Sequence, residues 1–75
     1  MNRLYLVSIG LDENDDGQPD GFEVTRMGHK EVMRVMNLWR DGIGLYQIVD
    51  INGNVVTFWF KNVTSISVDK DLGEV

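Results

Sequence analysis

Only one stretch of this chain repeats its apolar residues at helical spacing, and a single helix narrows the folds open to it. Val32, Val35, Met36 and Trp39 follow the i, i+3, i+4, i+7 pattern within His29 to Asp41, which puts them on one face of a helix. Lys30, Arg34, Asn37 and Arg40 fall on the opposite face. Glu31 in the first turn and Arg40 in the last both suit the helix dipole. Gly42 is a natural left-handed stop, and Gly44 keeps the helix from resuming. A lone amphipathic helix must bury its stripe against another layer, so the flanking segments have to supply a sheet.

They read as strands. Leu4 to Leu11 is apolar, partly β-branched and short, with Leu4 and Leu6 on one side and Tyr5, Val7, Ile9 and Leu11 on the other. Phe22 to Thr25 alternates as a second strand, closing a hairpin with a long tip, although a helix starting at Phe22 is an alternative. Leu45 to Ile51 and Asn54 to Phe60 flank Asn52-Gly53, a dipeptide suited to a two-residue hairpin turn. That register groups Leu45, Val49 and Ile51 with Val56, Phe58 and Phe60. It groups Tyr46 and Ile48 with Val55 and Trp59 on the other face. Thr64 to Val68 is a final strand with Ile66 and Val68 on one side, and the polar residues Asp69 to Val75 are expected to fray. The fold class is therefore α+β: a sheet of about five strands, antiparallel or mixed, in the order β-β-α-β-β-β, with the helix packed on one face.

Seventy-five residues have room for one core, and residues 1–75 read as a single small domain. The chain has no cysteine, so neither a disulfide nor a thiolate zinc site can staple it. Its apolar fraction of 43% is that of a folded globule. Met1 to Val7 is too short an apolar run for a signal peptide, and no stretch is long enough to span a bilayer. A cytoplasmic location is the default expectation.

The charge is unevenly placed. Six acids and no base lie between Asp12 and Glu23, while the rest of the chain carries six acids and seven bases, for a net −5. A nearly neutral body with one negative loop lacks the basic surface that nucleic-acid backbones require. Neither a nucleic-acid nor a membrane partner is expected.

Asp12, Asn14, Asp16, Gly17, Gln18, Asp20 and Glu23 stand in the pattern D-x-N-x-D-G, with Asp at the ninth position and Glu at the twelfth. This segment resembles an EF-hand-type calcium loop over all twelve positions. Calcium takes roughly six to eight oxygen ligands, which alternating carboxylates and an amide can wrap around it. The resemblance implies that Asp12, Asn14, Asp16, Asp20 and Glu23 offer side-chain oxygens, Gln18 a backbone carbonyl, and Gly17 the sharp turn. It also departs from the family: a strand precedes the loop, Pro19 replaces the usual aliphatic residue, and there is no second loop. Read without the resemblance, the same residues are those that a solvated hairpin tip demands. Calcium is the one cofactor the chain is suited to.

Catalysis is not expected. His29 is the only histidine, which cannot make a His-based zinc site, and it lacks an evident partner for general-base work. No phosphate loop, dinucleotide fingerprint or nucleophile elbow is present. Lys30, Arg34 and Arg40, with Arg26 just upstream, read as a solvated face. Met33, at the edge of the stripe, is the one methionine placed for an outside contact.

The second hairpin is apolar on both faces, and one helix covers only one. Tyr46, Ile48, Val55 and Trp59 are therefore expected to form an exposed patch that a protein partner or a second copy covers. The minimal size, the N-terminal hairpin, the helix and the closing Asn-Gly hairpin ending in KNVTSISV together resemble the short accessory proteins of phages and prophages. That resemblance implies a non-catalytic protein-binding module, such as an inhibitor, acting through the sheet face or the acidic loop. A single-loop calcium-binding domain is the alternative.

Overall fold

A computed structural model describes residues 3–74. The strands are β1 (Arg3–Leu11), β2 (Gly21–Gly28), β3 (Leu45–Val49), β4 (Val55–Trp59) and β5 (Val63–Glu74), with the helix α1 (His29–Asp41) between β2 and β3. A 3-10 turn, Phe60–Asn62, joins β4 to β5. The chain is α+β in the expected element order, with all five strands antiparallel but divided between two sheets: β2-β1-β5, and the hairpin β3-β4. Phe22 opens no helix; β2 continues to Gly28 and α1 begins at the next residue.

The core follows from alternation. On β1, Val7, Ile9 and Leu11 are buried, and across the ladder Thr25 and Met27 of β2 are buried on the same side. Val35 of α1 enters this core, and Val32, Leu38 and Trp39 pack against it. The Trp39 indole N–H donates to the Val63 carbonyl at 3.1 Å, tying the helix to the start of β5. Gly42 caps α1 in the left-handed conformation (φ 70°), and its N–H bonds the Leu38 and Trp39 carbonyls. The inner face of the β3-β4 hairpin adds Ile48 and Phe58 to the same core. Its Tyr46, Phe58 and the neighbouring Phe60 form an aromatic cluster with ring centroids 5.5–6.2 Å apart.

Two strand expectations are corrected. Asp69 to Glu74 is not frayed, because β5 pairs with β1 along its whole length, Arg3 standing opposite Glu74. Polar side chains allow this since β5 is an edge strand, bent by irregularities opposite Leu4–Tyr5, Leu6–Val7 and Gly10–Leu11. Arg3 reaches Asp71 at 3.0 Å and Glu74 at 3.7 Å, and the Ser8 hydroxyl donates to Asp69. Val75 lies outside the described residues.

The second correction is the hairpin register. Val49 faces Val55 and Leu45 faces Trp59, one residue away from the two-residue turn. The Asp50 N–H bonds the Asn54 carbonyl at 2.9 Å, so the loop is Ile51-Asn52-Gly53, with only Gly53 at positive φ (86°). Asp50 favours this longer loop: its Oδ1 accepts the N–H groups of Asn52 (2.9 Å) and Asn54 (2.8 Å). A side-chain carboxylate thus satisfies donors that a two-residue turn would use otherwise.

Candidate functional site

A shift of one residue exchanges the two faces of a strand relative to its partner. The expected patch of Tyr46, Ile48, Val55 and Trp59 is therefore split. Ile48, at 5% exposure, belongs to the core. Tyr46 packs against it and donates its hydroxyl to Glu31 Oε2 at 3.1 Å. Burial and the neighbouring Glu31 carboxylate raise the Tyr46 hydroxyl above its ordinary pKa, so it holds that bond as a donor at neutral pH. Val55 and Trp59 do face outward, and their cross-strand neighbours Val49 and Leu45 join them. Leu45 is 53% exposed, Val49 57%, Val55 62% and Trp59 51%, with Ile43 just before β3 at 74%.

The two-residue turn puts Leu45 and Val49 on the face of Phe58 and Phe60, and Ile43 lies outside every strand expected from the sequence. One signal favours the observed register. Gln47 and Thr57, the one polar residue in the middle of each strand, face each other in it, whereas the two-residue turn sets Gln47 opposite Phe58. Beside Trp59 the outer face sinks into a hollow of about 250 Å³, lined by Gly42, Ile43, Gly44, Trp59 and Lys61.

The acidic loop is compact. The Asp12 carboxylate accepts the N–H groups of Asp16 (3.0 Å) and Gly17 (2.8 Å), and Asp20 accepts that of Asn14 (3.1 Å). Asp16 in turn accepts the N–H of Gln18 at 2.9 Å. Asp15 and Gly17 make the turn with positive φ, 60° and 78°. Desolvation pushes the Asp12 carboxyl up, but the donors from Gly17, Asp16 and Asp15 outweigh it and hold the group below the usual carboxylate value.

Of the six expected ligands, the fold gathers Asp12, Asp16 and Asp20, with one oxygen from each within 4.8 Å of the others. Glu23 does not join that group. As a β2 residue opposite Ile9 it follows the face of Thr25 and Met27, and it lines a groove beside β4 instead. A loop that leads into a strand rather than a helix turns its twelfth residue with the pleat. Asn14 and Gln18 sit at the exposed tip.

Lys30, Arg34, Asn37 and Arg40 form the exposed helix face, and His29 is exposed at the first helical position. No described helix is long and apolar enough to cross a membrane. The chain matches no protein-family model, no curated protein and no solved structure.

Proposed function

We propose that the chain is a protein-binding module, accessory or inhibitory rather than catalytic, and that it docks through the outer face of the β3-β4 hairpin. The observation that carries this reading is the apolar face formed by Ile43, Leu45, Val49, Val55 and Trp59, each more than half exposed. Scattered exposed apolar residues are ordinary, but here two cross-strand pairs, Leu45–Trp59 and Val49–Val55, flank Gln47–Thr57 on one face, and a clustered set of this kind marks a contact surface. Trp59 beside a hollow matches the aromatic anchors that dominate protein interfaces.

The test is affinity capture from source cells with the wild-type chain and with a Val49→Lys, Val55→Lys variant. Both positions are exposed, so the variant is expected to fold and melt within a few degrees of wild type. Wild type retains a partner and the variant loses it. Equal retention by both would move the contact off this face. Light scattering of the wild-type chain distinguishes a second copy from a different protein.

A second reading is supported by the spacing of Asp12, Asp16 and Asp20: a calcium ion that orders residues 12–23 through these three carboxylates. Such an ion would raise the melting temperature by linkage. Millimolar Ca²⁺ after EDTA is then expected to stabilise the wild-type chain and not Asp16→Ala. No shift, with no heat in calorimetry, removes this reading.

A further inference from the structure

Among the described residues strand β4 pairs only with β3, and its sequence Val-Val-Thr-Phe-Trp holds no charge, proline or glycine. Backbone groups in an antiparallel pair alternate in direction. The Asn54 carbonyl and the Phe60 N–H both bond across to the β3 side, to Asp50 and Gly44. The same phase turns Val56 and Phe58 towards β3 and leaves the N–H and C=O groups of Val55 and Thr57 and the N–H of Trp59 pointing away, the Trp59 carbonyl being taken up by the Phe60–Asn62 turn. Among the described residues none of these outward groups has a protein partner.

Along that free edge runs a groove of about 260 Å³, lined by Val56, Thr57, Phe58 and Trp59 on one side and by Leu11, Glu13 and Glu23 on the other. Residues of both β4 faces line it, which places it on the strand's edge rather than on either face. The Asp12 N–H bond to the Asn62 carbonyl (2.7 Å) closes one end. No base lines the groove, and among the described residues neither Glu13 nor Glu23 has a salt-bridge partner. An unpaired strand edge of this kind offers main-chain pairing, and a pocket beside it selects a side chain.

We infer that β4 accepts an extended peptide segment as an added strand, and that the groove takes a lysine or arginine of that segment against Glu13 and Glu23. The inference rests on the docking reading above and names the chemistry of the partner. It sets this edge apart from that of β5, which is charged and irregular and so guarded against pairing.

The probe is an acetylated, amidated pentapeptide, Thr-Val-Arg-Val-Thr, titrated at millimolar concentration into the full ¹⁵N-labelled chain, with Thr-Val-Glu-Val-Thr as its counterpart. The amides of Val55, Thr57 and Trp59 are expected to shift and to exchange more slowly. The arginine peptide should bind about tenfold more tightly than the glutamate one, and added salt should narrow the difference. Glu13→Gln with Glu23→Gln should remove that preference. Thr57→Pro deletes an outward N–H without touching the β3 pairing, and should abolish binding, whereas Thr57→Val should not. Equal binding of both peptides, or slow exchange at Val55, Thr57 and Trp59 that depends on chain concentration rather than on peptide, overturns the inference. If shifts fall on Leu45 and Val49 instead, the groove is wrong while the apolar face still stands. Loss of the captured partner in the Val49→Lys, Val55→Lys variant tests that face separately.

Discussion

Asp50 is the residue on which the second hairpin turns. Its carboxylate holds the Asn52 and Asn54 N–H groups, and those bonds select the three-residue loop that sends Leu45 and Val49 outward. Asp50→Ala is expected to cost about 1 kcal/mol, the scale of a lost capping bond, read as a lower midpoint in urea with an unchanged slope. Three other aspartates set the acid response. Side-chain donors from Ser8 and Ser67 lower Asp69. The Gly73 N–H and then Arg3 lower Asp71. Backbone donors in the loop, set against desolvation, lower Asp12. A carboxyl held below its unfolded value stabilises the fold at neutral pH, and that stabilisation is lost as pH falls through the folded value. The melting temperature is therefore expected to hold from pH 7 to about 5 and to drop below about pH 4. Asp69→Asn and Asp71→Asn should each flatten the drop, and an unchanged profile would contradict the assignment.

At the scale of elements, α1 was legible from its stripe because 3.6-residue spacing has one solution, and Gly42 marks its end in sequence and in structure. The β3-β4 hairpin was legible as a hairpin but not in register. Both of its faces are apolar, so alternation alone cannot say which looks inward, and Asn52-Gly53 fits a two-residue and a three-residue loop alike. Asp50 and the Gln47–Thr57 pair break the tie only once side-chain bonds and cross-strand neighbours are considered together. The division of the candidate patch follows directly: Tyr46 and Ile48 went inward with that one-residue shift. In the acidic loop, Asp12, Asp16 and Asp20 converge as the spacing suggested, while the pleat of β2 takes Glu23 elsewhere. A mutation separates the two faces of the hairpin. Phe58→Ala on the inner face should cost about 3–5 kcal/mol, whereas Val49→Lys on the outer face should stay within about 0.5 kcal/mol, both by urea unfolding.

For the molecule as a whole, the path of β5 was the least legible part. Asp69, Lys70 and Asp71 look like a polar tail, and only pairing with β1 makes them a strand. Truncation after Val68 is expected to lower the melting temperature and to expose the edge of β1, giving more aggregation on heating; an unaltered melt would mean the outer half of β5 contributes nothing. The fold then presents one free uncharged strand, an apolar outer face and an acidic loop on a body with net charge −5. The docking of that outer face is tested most directly by Trp59 itself. In a Trp39→Phe chain it is the only tryptophan, half exposed on the proposed contact. Alone, its fluorescence should be red-shifted and readily quenched by acrylamide; with the captured partner bound, it should shift to the blue and lose most of that quenching. A partner that binds while Trp59 stays red and fully quenchable would contradict docking through this face.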